Sequence, residues 1–308
     1  MSLLLDVGTA RAYKDHYVGF VAAAADFIKR NLWTDTPSFG IVLGSGLNDL
    51  VDQFEEPKTI IPYADIPHFP TPTVLGHVGN MHIGSIQGVP VIGLQGRTHY
   101  YEVADHPFNV GMLQVVFPVH VLATLGVKNY FATNAAGGLN SSYHVGDIMI
   151  ITSHNGQLLP NPLAGQFQPF TTLEGKTVER FQPMNGAYDP ELRSLLSTSG
   201  EAFADHVHEG TYIAVPGPTY ETEAECKAFR DGWKGDAVGM STAPEVIVAR
   251  NRGMKAVGFS CITNVIGPDG TNATSHEEVQ AVLTSSTTRD RLSTIVRTFF
   301  SLYKQRKP

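Results

Sequence analysis

The sequence predicts an α/β fold built around a mainly parallel sheet, and three observations predict it. Helix-period and strand-period apolar patterns alternate along the chain, as they do where strands are joined by crossover helices. Strand-like runs end repeatedly in polar or glycine-rich turns, at Ser45, Arg97, Asn134, Tyr220 and Asn264. The 308 residues, 42 % hydrophobic and 17 % charged, suffice for a large core. Composition shows no linker-like break, repeat or low-complexity tract. A chain of this length is two average domains or one large α/β domain.

The elements follow in order. Val18, Val21, Ala25 and Ile28 share one face of a helix. Residues 39–43 form an apolar strand ending at Gly44-Ser45-Gly46, after which Leu47, Leu50 and Val51 resume helical spacing. Residues 81–86 and 89–94 flank Gln87-Gly88 as a hairpin. A helix covers 110–125, with Gly126 as its C′ residue. Residues 127–133 form a strand that breaks at Asn134-Ala135-Ala136-Gly137-Gly138, and 147–153 form another. Residues 154–188, rich in Pro, Gly, Gln and Asn, read as a long loop of functional or mobile character. A strand over 211–215 stops at Pro216-Gly217-Pro218. Thr222 with Glu225 is a capping box opening a helix. Residues 243–252 are a helix with Pro244 near N1 and Gly253 at its exit. A strand over 255–263 ends at Asn264; Ser275 with Glu278 caps a last helix running towards Tyr303.

Several function classes drop out. The net charge of −7 argues against a general nucleic-acid binder. Cys226 and Cys261 form no CxxC pair, so a reducing compartment and a cytoplasmic location are expected. The opening MSLLLDVGTAR is too short for a signal-peptide core, and no stretch approaches the ~18 apolar residues of a span, so no membrane partner is expected. Without such a signal the sequons at Asn140 and Asn272 carry no meaning. His206 and His208 form an HxH pair with no acidic companion at ligand spacing, so no metal site is expected.

The strand-exit turns carry the candidate chemistry. In open α/β sheets, ligands bind beyond the carboxyl ends of the strands, so turns distant in sequence can meet. Gly44-Ser45-Gly46 suits an anion or an ordinary tight turn; it is neither a Walker A loop nor a dinucleotide fingerprint. Gly96-Arg97-Thr98-His99-Tyr100-Tyr101-Glu102 gathers a bidentate oxyanion grip, a tunable imidazole and aromatics at one exit, which favours function over a solvated loop. His77 lies between glycines, and a lone histidine is more often structural. Asn134-Ala-Ala-Gly-Gly allows close approach of a ligand to main-chain N–H groups, or is a plain glycine-rich exit. Tyr220-Glu221 offers a stacking ring and an acceptor, or a first-turn carboxylate favouring the next helix dipole. Asn264 is a turn residue or a base reader, and Met240 reads as core packing.

Together these stretches resemble the trimeric purine nucleoside phosphorylases and their methylthioadenosine phosphorylase cousins. The matching segments are Val42-Leu-Gly-Ser-Gly-Leu47, Gly76-His77-Val-Gly79, Gln95-Gly-Arg-Thr-His-Tyr-Tyr-Glu102, Thr133-Asn-Ala-Ala-Gly-Gly-Leu139, Gly217-Pro-Thr-Tyr-Glu-Thr222, Asp236-Ala-Val-Gly-Met-Ser-Thr-Ala-Pro-Glu-Val-Ile-Val-Ala-Arg250 and Ile262-Thr-Asn264, in family order. The resemblance implies a single domain over 1–308, with its core over about 15–303 and a central mixed, largely parallel sheet, and a homotrimer with sites near subunit interfaces. It implies phosphorolysis: purine nucleoside plus phosphate gives base and ribose 1-phosphate, with phosphate as co-substrate and no other cofactor. Ser45, His77, Arg97, His99, the Ala135 backbone and Ser241 match the phosphate site; Tyr101, Met240 and His276 the ribose site; Tyr220, Glu221, Val238 and Asn264 the base site. Glu102 matches a carboxylate orienting the histidine of the phosphate loop. Asn264, Glu221 and His99 are the expected catalytic residues.

Asn264 carries a substrate argument. Its NH₂ satisfies the acceptor at position 6 of inosine and guanosine, where an adenine compound would suit Asp better. His276 favours a free 5′-hydroxyl over a methylthio group. Thr98 and Tyr100 replace more apolar residues of the family loop, Tyr220 stands where some members have Phe, and the chain is longer around 165–180. The family lends an aromatic from that region to the neighbouring subunit's ribose site; Phe170 is the candidate and Phe167 the reserve. Three rivals are weighed. A methylthioadenosine phosphorylase conflicts with Asn264 and His276, a non-catalytic binding protein with the filled site positions, and a hydrolase with the phosphate constellation.

Overall fold

A computed structural model describes residues 7–32, 36–44, 48–74, 76–165 and 170–306. Among the described residues nine strands form one mixed sheet: β1 (Phe39–Leu43), β2 (Glu55–Pro62), β3 (Asn80–Ile86), β4 (Val89–Gln95), β5 (Asn129–Gly138), β6 (Ile148–Asn155), β7 (Val207–Ala214), β8 (Ala237–Gly239) and β9 (Lys255–Val265). The order is β2-β3-β4-β1-β5-β8-β7-β6-β9, and β9 also pairs with β5, so the last five strands close on themselves. Pairings β1–β4, β1–β5, β5–β9, β6–β7 and β7–β8 are parallel, whereas β2–β3, β3–β4, β5–β8 and β6–β9 are antiparallel.

The sheet forks at β5. One edge of β5 lies along β9 from Asn129 to Gly138. The other pairs with β1 only as far as Ala132 and with β8 only from Gly137. Between them a crevice opens at the C-terminal end of β1, a point where the sheet changes direction and ligands collect.

Both faces of the sheet are covered, which is why its strands read as continuous apolar runs. On β1, Phe39, Ile41 and Leu43 face one core and Val42 the other, the period-2 alternation of a strand. Helices α1 (Val7–Arg30), α2 (Val110–Thr124) and α5 (Ala243–Asn251) pack into one core. Helices α3 (Pro190–Ser199), α6 (His276–Thr284) and α7 (Ser286–Arg306) pack into the other, with Phe299 and Phe300 against Phe39 and Phe131. The short α4 (Glu223–Lys227) follows the Thr222–Glu225 capping box.

Some expectations need correction. After Gly44 the chain forms a 3-10 turn over Asn48–Gln53, not an α-helix. β5 does not break at Asn134; pairing with β9 carries it through to Gly138. The last helix is two, since Ser285 adopts an extended ψ of 139° between α6 and α7. Strands β2 and β8 and helix α3 were not foreseen: β2 is largely exposed and β8 is three residues long, so neither has a strong apolar pattern. Among the described residues Pro107–Thr124 is long and apolar enough to cross a membrane, contrary to expectation. Here α2 lies packed between α1 and α5, where an all-round apolar helix belongs.

Candidate active site

A cavity of roughly 410 Å³ occupies the fork. It is lined by Arg97, His99 and Tyr101 beyond β4, by Asn134 to Gly137 of β5, and by Pro218, Tyr220 and Glu221 beyond β7. Val238 to Ser241 of and beyond β8, Thr263 and Asn264 of β9, and Asn272 and His276 also line it. Tertiary structure thus brings four of the five strand exits to one place. The fifth, Ser45, lies outside the described residues, as does Phe167.

At one end the polar groups are buried and mutually held. Arg97 is 5 % exposed. Its Nε lies 3.0 Å from Glu245 Oε1, and its Nη1 donates to Ser241 Oγ at 2.9 Å. Among the described residues Nη2 has no hydrogen-bond partner, although it is buried. A buried donor without a partner costs about 1–3 kcal/mol, so this end is built for an acceptor. Glu245 opens α5 among Ala243, Val246, Val248 and Ala249, all buried.

Gly96 makes the close approach before Arg97 possible. Its φ is +106°, and a Cβ there would fall 3.0 Å from His77 Cβ. His77 Nδ1 consequently accepts the Arg97 N–H at 2.8 Å, and its ring stands edge-on to His99, 4.9 Å away. Burial, then the neighbouring His99 and Arg97, lowers the His77 pKa to about 3, so it stays a neutral acceptor.

His99 lines the cavity and stacks on Tyr101 at 5.0 Å. Glu102 holds it from both sides: Oε1 accepts from the His99 N–H at 2.6 Å and lies 3.1 Å from Nδ1. Oε2 accepts from Thr73 N–H at 2.6 Å and Thr73 Oγ1 at 2.5 Å. Desolvation pushes Glu102 up, but these bonds from His99 and Thr73 outweigh it and bring its pKa to about 2. Ionised Glu102 orients His99, leaving Nε2 as the imidazole nitrogen not engaged by it.

Ser241 is placed by backbone strain. Thr242 has φ +69° and ψ −54°, and Ala243 N–H donates to Ser241 O at 2.8 Å, closing a γ-turn rare for a β-branched residue. Thr242 Oγ1 accepts from Asn134 Nδ2 at 2.8 Å, and Ser241 N–H donates to Tyr212 Oη at 3.3 Å. Above it, Gly217 at φ +64° lets Met240 and Tyr101 meet: a Cβ there would lie 2.5 Å from Met240 Sδ and 3.0 Å from the Tyr101 ring. Burial raises the Tyr101 pKa to about 12, so the phenol stays neutral.

The other end is an amide chain. Thr263 Oγ1 donates to Asn264 Oδ1 at 3.2 Å, and Asn264 Nδ2 donates to Asn272 Oδ1 at 2.9 Å. Asn272 Nδ2 in turn donates to Glu221 Oε2 at 3.1 Å. Burial raises the pKa of Glu221, against the effect of its backbone and Asn272 bonds. Val238 is buried beneath this end, while Tyr220, 40 % exposed, and His276 stand at its margin.

The family model described as the phosphorylase superfamily matches residues 38–301. The chain belongs to the phosphorylase superfamily. It is 44 % identical over 262 residues to purine nucleoside phosphorylase 1 of Bacillus subtilis, covering 85 % of this chain and 91 % of that one. It is 40 % identical over 250 residues to the bovine (Bos taurus) purine nucleoside phosphorylase, covering 79 % and 82 %. A Schistosoma purine nucleoside phosphorylase in complex with hypoxanthine superposes with a TM-score of 0.79 at 34 % identity, over 94 % of this chain and 97 % of that one. The Schistosoma mansoni enzyme in complex with adenosine gives 0.77 at 35 %, with the same coverage. As a superfamily member at this similarity, the chain is an enzyme of the purine nucleoside phosphorylase kind, a pentosyltransferase.

One expected residue is placed elsewhere. Phe170, expected to serve a neighbouring subunit, is 5 % exposed inside its own chain. Its ring stacks on His120 at 4.1 Å and lies under the Arg252 guanidinium at 4.5 Å. Arg252 also donates from Nε to Thr171 O at 2.8 Å, stitching the long loop to α5. Stacking and cation–π contact commit the ring to this core.

A second correction concerns His206 and His208. Both meet Asp147, at 2.8 Å from His206 Nδ1 and 2.8 Å from His208 Nε2, so the pair has the acidic companion that sequence spacing hid. Among the described residues no group of three or more such side chains is arranged to hold a metal ion.

Sequence reasoning missed Glu245, Thr73, Thr242 and Asn272. Glu245 alone left a signal: a carboxylate on an apolar helix requires a buried cation.

Proposed function

We propose that the protein catalyses the reversible phosphorolysis of 6-oxopurine ribonucleosides and 2′-deoxyribonucleosides, inosine and guanosine above all. The products are the purine base and (deoxy)ribose 1-phosphate, a reaction suited to purine salvage. It acts as a homotrimer in the cytoplasm, with inorganic phosphate as co-substrate and no metal or organic cofactor.

The observation that carries the substrate preference is the orientation of the Asn264 amide. The Thr263 hydroxyl takes its oxygen, so its NH₂ is the group turned to the cavity. Glu221 supplies an acceptor nearby. A 6-oxopurine meets that pair with O6 and N1–H, whereas a 6-aminopurine opposes donor to donor. The mismatch costs about 1–3 kcal/mol, or roughly 5- to 150-fold in specificity.

In the reaction the C1′–N9 bond breaks and its electron pair leaves with the purine, while a phosphate oxygen forms the new bond to C1′. Arg97 Nη2, Ser241 and the Ala135 backbone hold the phosphate, with Ser45 and His77 as the further expected ligands. His99, oriented by Glu102, presents Nε2 beside it. Phosphate charge stabilises the oxocarbenium-like sugar, which Tyr101, Met240 and His276 position. Asn264 stabilises charge developing on the leaving base, and Glu221 fixes N1–H. Catalysis is positioning plus electrostatics.

Base release from inosine and adenosine, with and without phosphate, tests the reading. Phosphate-dependent release of hypoxanthine, with adenosine turned over at least about fivefold less efficiently, is the expected result. Equal turnover of adenosine would overturn the Asn264 argument, and phosphate-independent release would favour a hydrolase.

A further inference from the structure

The segment between β9 and α6 has two firm points with a short stretch between them. Gly267 N–H donates to Thr271 O at 2.9 Å, and Asp269 accepts the Thr271 N–H at 3.0 Å and its hydroxyl at 2.8 Å. Arg230 clamps this turn, donating to Gly267 O at 3.1 Å and Pro268 O at 2.8 Å. Downstream, Ser275 and Glu278 cap α6. Asn272 stands between these points with its side chain in the cavity.

The chemistry of its two bonds is specific. Asn272 donates an amide N–H to Glu221 and accepts from Asn264 through the carbonyl oxygen of the same amide. A 6-oxopurine presents N1–H and C6=O on adjacent atoms. That lactam and a side-chain amide are the same N–C=O fragment, offering the same donor and acceptor side by side. We infer that Asn272 is an internal surrogate for the purine: its amide occupies the recognition edge of Glu221 and Asn264, and a base enters by displacing it.

The inference rests on the reading of Glu221 and Asn264 as the base site and adds a residue to it. The surrogate keeps Glu221 and Asn264 oriented and partnered between turnovers. It also lowers the apparent affinity for every base by the fraction of molecules in which the edge is open. Inosine and adenosine carry that cost alike, so Asn272 sets the strength of base binding and leaves the preference between bases to Asn264.

The test uses the full chain and the variants Asn272→Ala and Asn272→Ser, neither of which spans both partners. Hypoxanthine binding is measured by calorimetry, and the KM values for inosine and phosphate by steady-state kinetics. Removing a latch of two hydrogen bonds is expected to tighten hypoxanthine binding and lower the inosine KM by about 5- to 30-fold in both variants. The phosphate KM and the ratio of kcat/KM for inosine over adenosine should stay as in the parent. Unchanged or weaker hypoxanthine binding in the variants, with a parent that binds it, overturns the surrogate alone. Weaker binding would instead make Asn272 a contact of the bound base. A parent that neither binds hypoxanthine nor releases it from inosine overturns the base-site reading, and the surrogate with it.

Discussion

At the arginine end of the cavity Arg97, His99 and Ser241 are each less than a tenth exposed, and each is held by a side-chain partner or by strained backbone. At the amide end Tyr220 is 40 % exposed, and Glu221 and Asn264 meet through a loop residue. The difference follows from what each end has to do. An anion is best held by donors oriented in advance, because reorganising them during reaction would cost the stabilisation they give. On the proposed reading a base must enter and leave, and Glu221 and the bridging Asn272 both sit on loops, with Asn264 fixed in β9. The same contrast appears in acid–base character. Hydrogen bonds hold Glu102 down to about 2, while burial pushes Glu221 up.

The largest expected effect comes from the arginine end. Arg97→Ala should lower kcat/KM for phosphorolysis by about 10³-fold. It should also destabilise the fold by about 3–5 kcal/mol, because Glu245 is left buried without its cation. The double variant Arg97→Met, Glu245→Leu should recover most of the melting temperature and none of the activity. Recovery of activity would mean that the pair is structural.

Asn264→Asp is the matching change at the amide end. Inosine kcat/KM should fall by about 10²-fold and the preference should move towards adenosine, with little change in melting temperature. A variant still preferring inosine would remove Asn264 as the reader of position 6.

Glu102→Ala should cost about tenfold in kcat/KM and about 2–3 kcal/mol of stability, since His99 and Thr73 lose a charged acceptor. Thermal unfolding and steady-state kinetics measure the two together. Loss of stability without loss of rate would make the carboxylate a clamp for residue 73 only.

The smallest effect is in pH dependence, where the two ends have opposite signs. Glu102 has its pKa depressed from 4.5 to about 2, so its contribution to stability is present above 4.5 and lost as pH falls towards 2. Glu221 has a raised pKa, so it takes up its proton above the ordinary carboxylate range and its acceptor is lost there. The inosine KM should rise severalfold on the acid side before the melting temperature falls, and Glu221→Gln should abolish that limb. His77, at about 3, contributes no limb near neutrality.

Local chemistry was legible in the sequence wherever a residue acts through its neighbours in the chain. Both capping boxes, strand β1, the β3–β4 hairpin and the strand exits at Arg97 and Asn264 follow from short-range pattern and turn chemistry. The candidate site residues were legible as types, since an arginine, a histidine and a carboxylate at one exit have few structural uses. Partners drawn from far along the chain were not legible. Glu245 reaches Arg97 across 148 positions, and Thr73 and Asn272 act from loops without a sequence pattern. Arg252 claims Phe170 for this chain's own core, because a buried guanidinium and an aromatic face find each other only in three dimensions. The fork in β5 is likewise a tertiary fact: whether a strand ends at Asn134 or continues depends on β9 offering it hydrogen bonds. The sequence by itself determined which chemistry is available and at which strand ends it waits. Tertiary structure decided which of those groups meet, which are buried, and which proton each keeps, because desolvation and pairing depend on neighbours that only folding supplies.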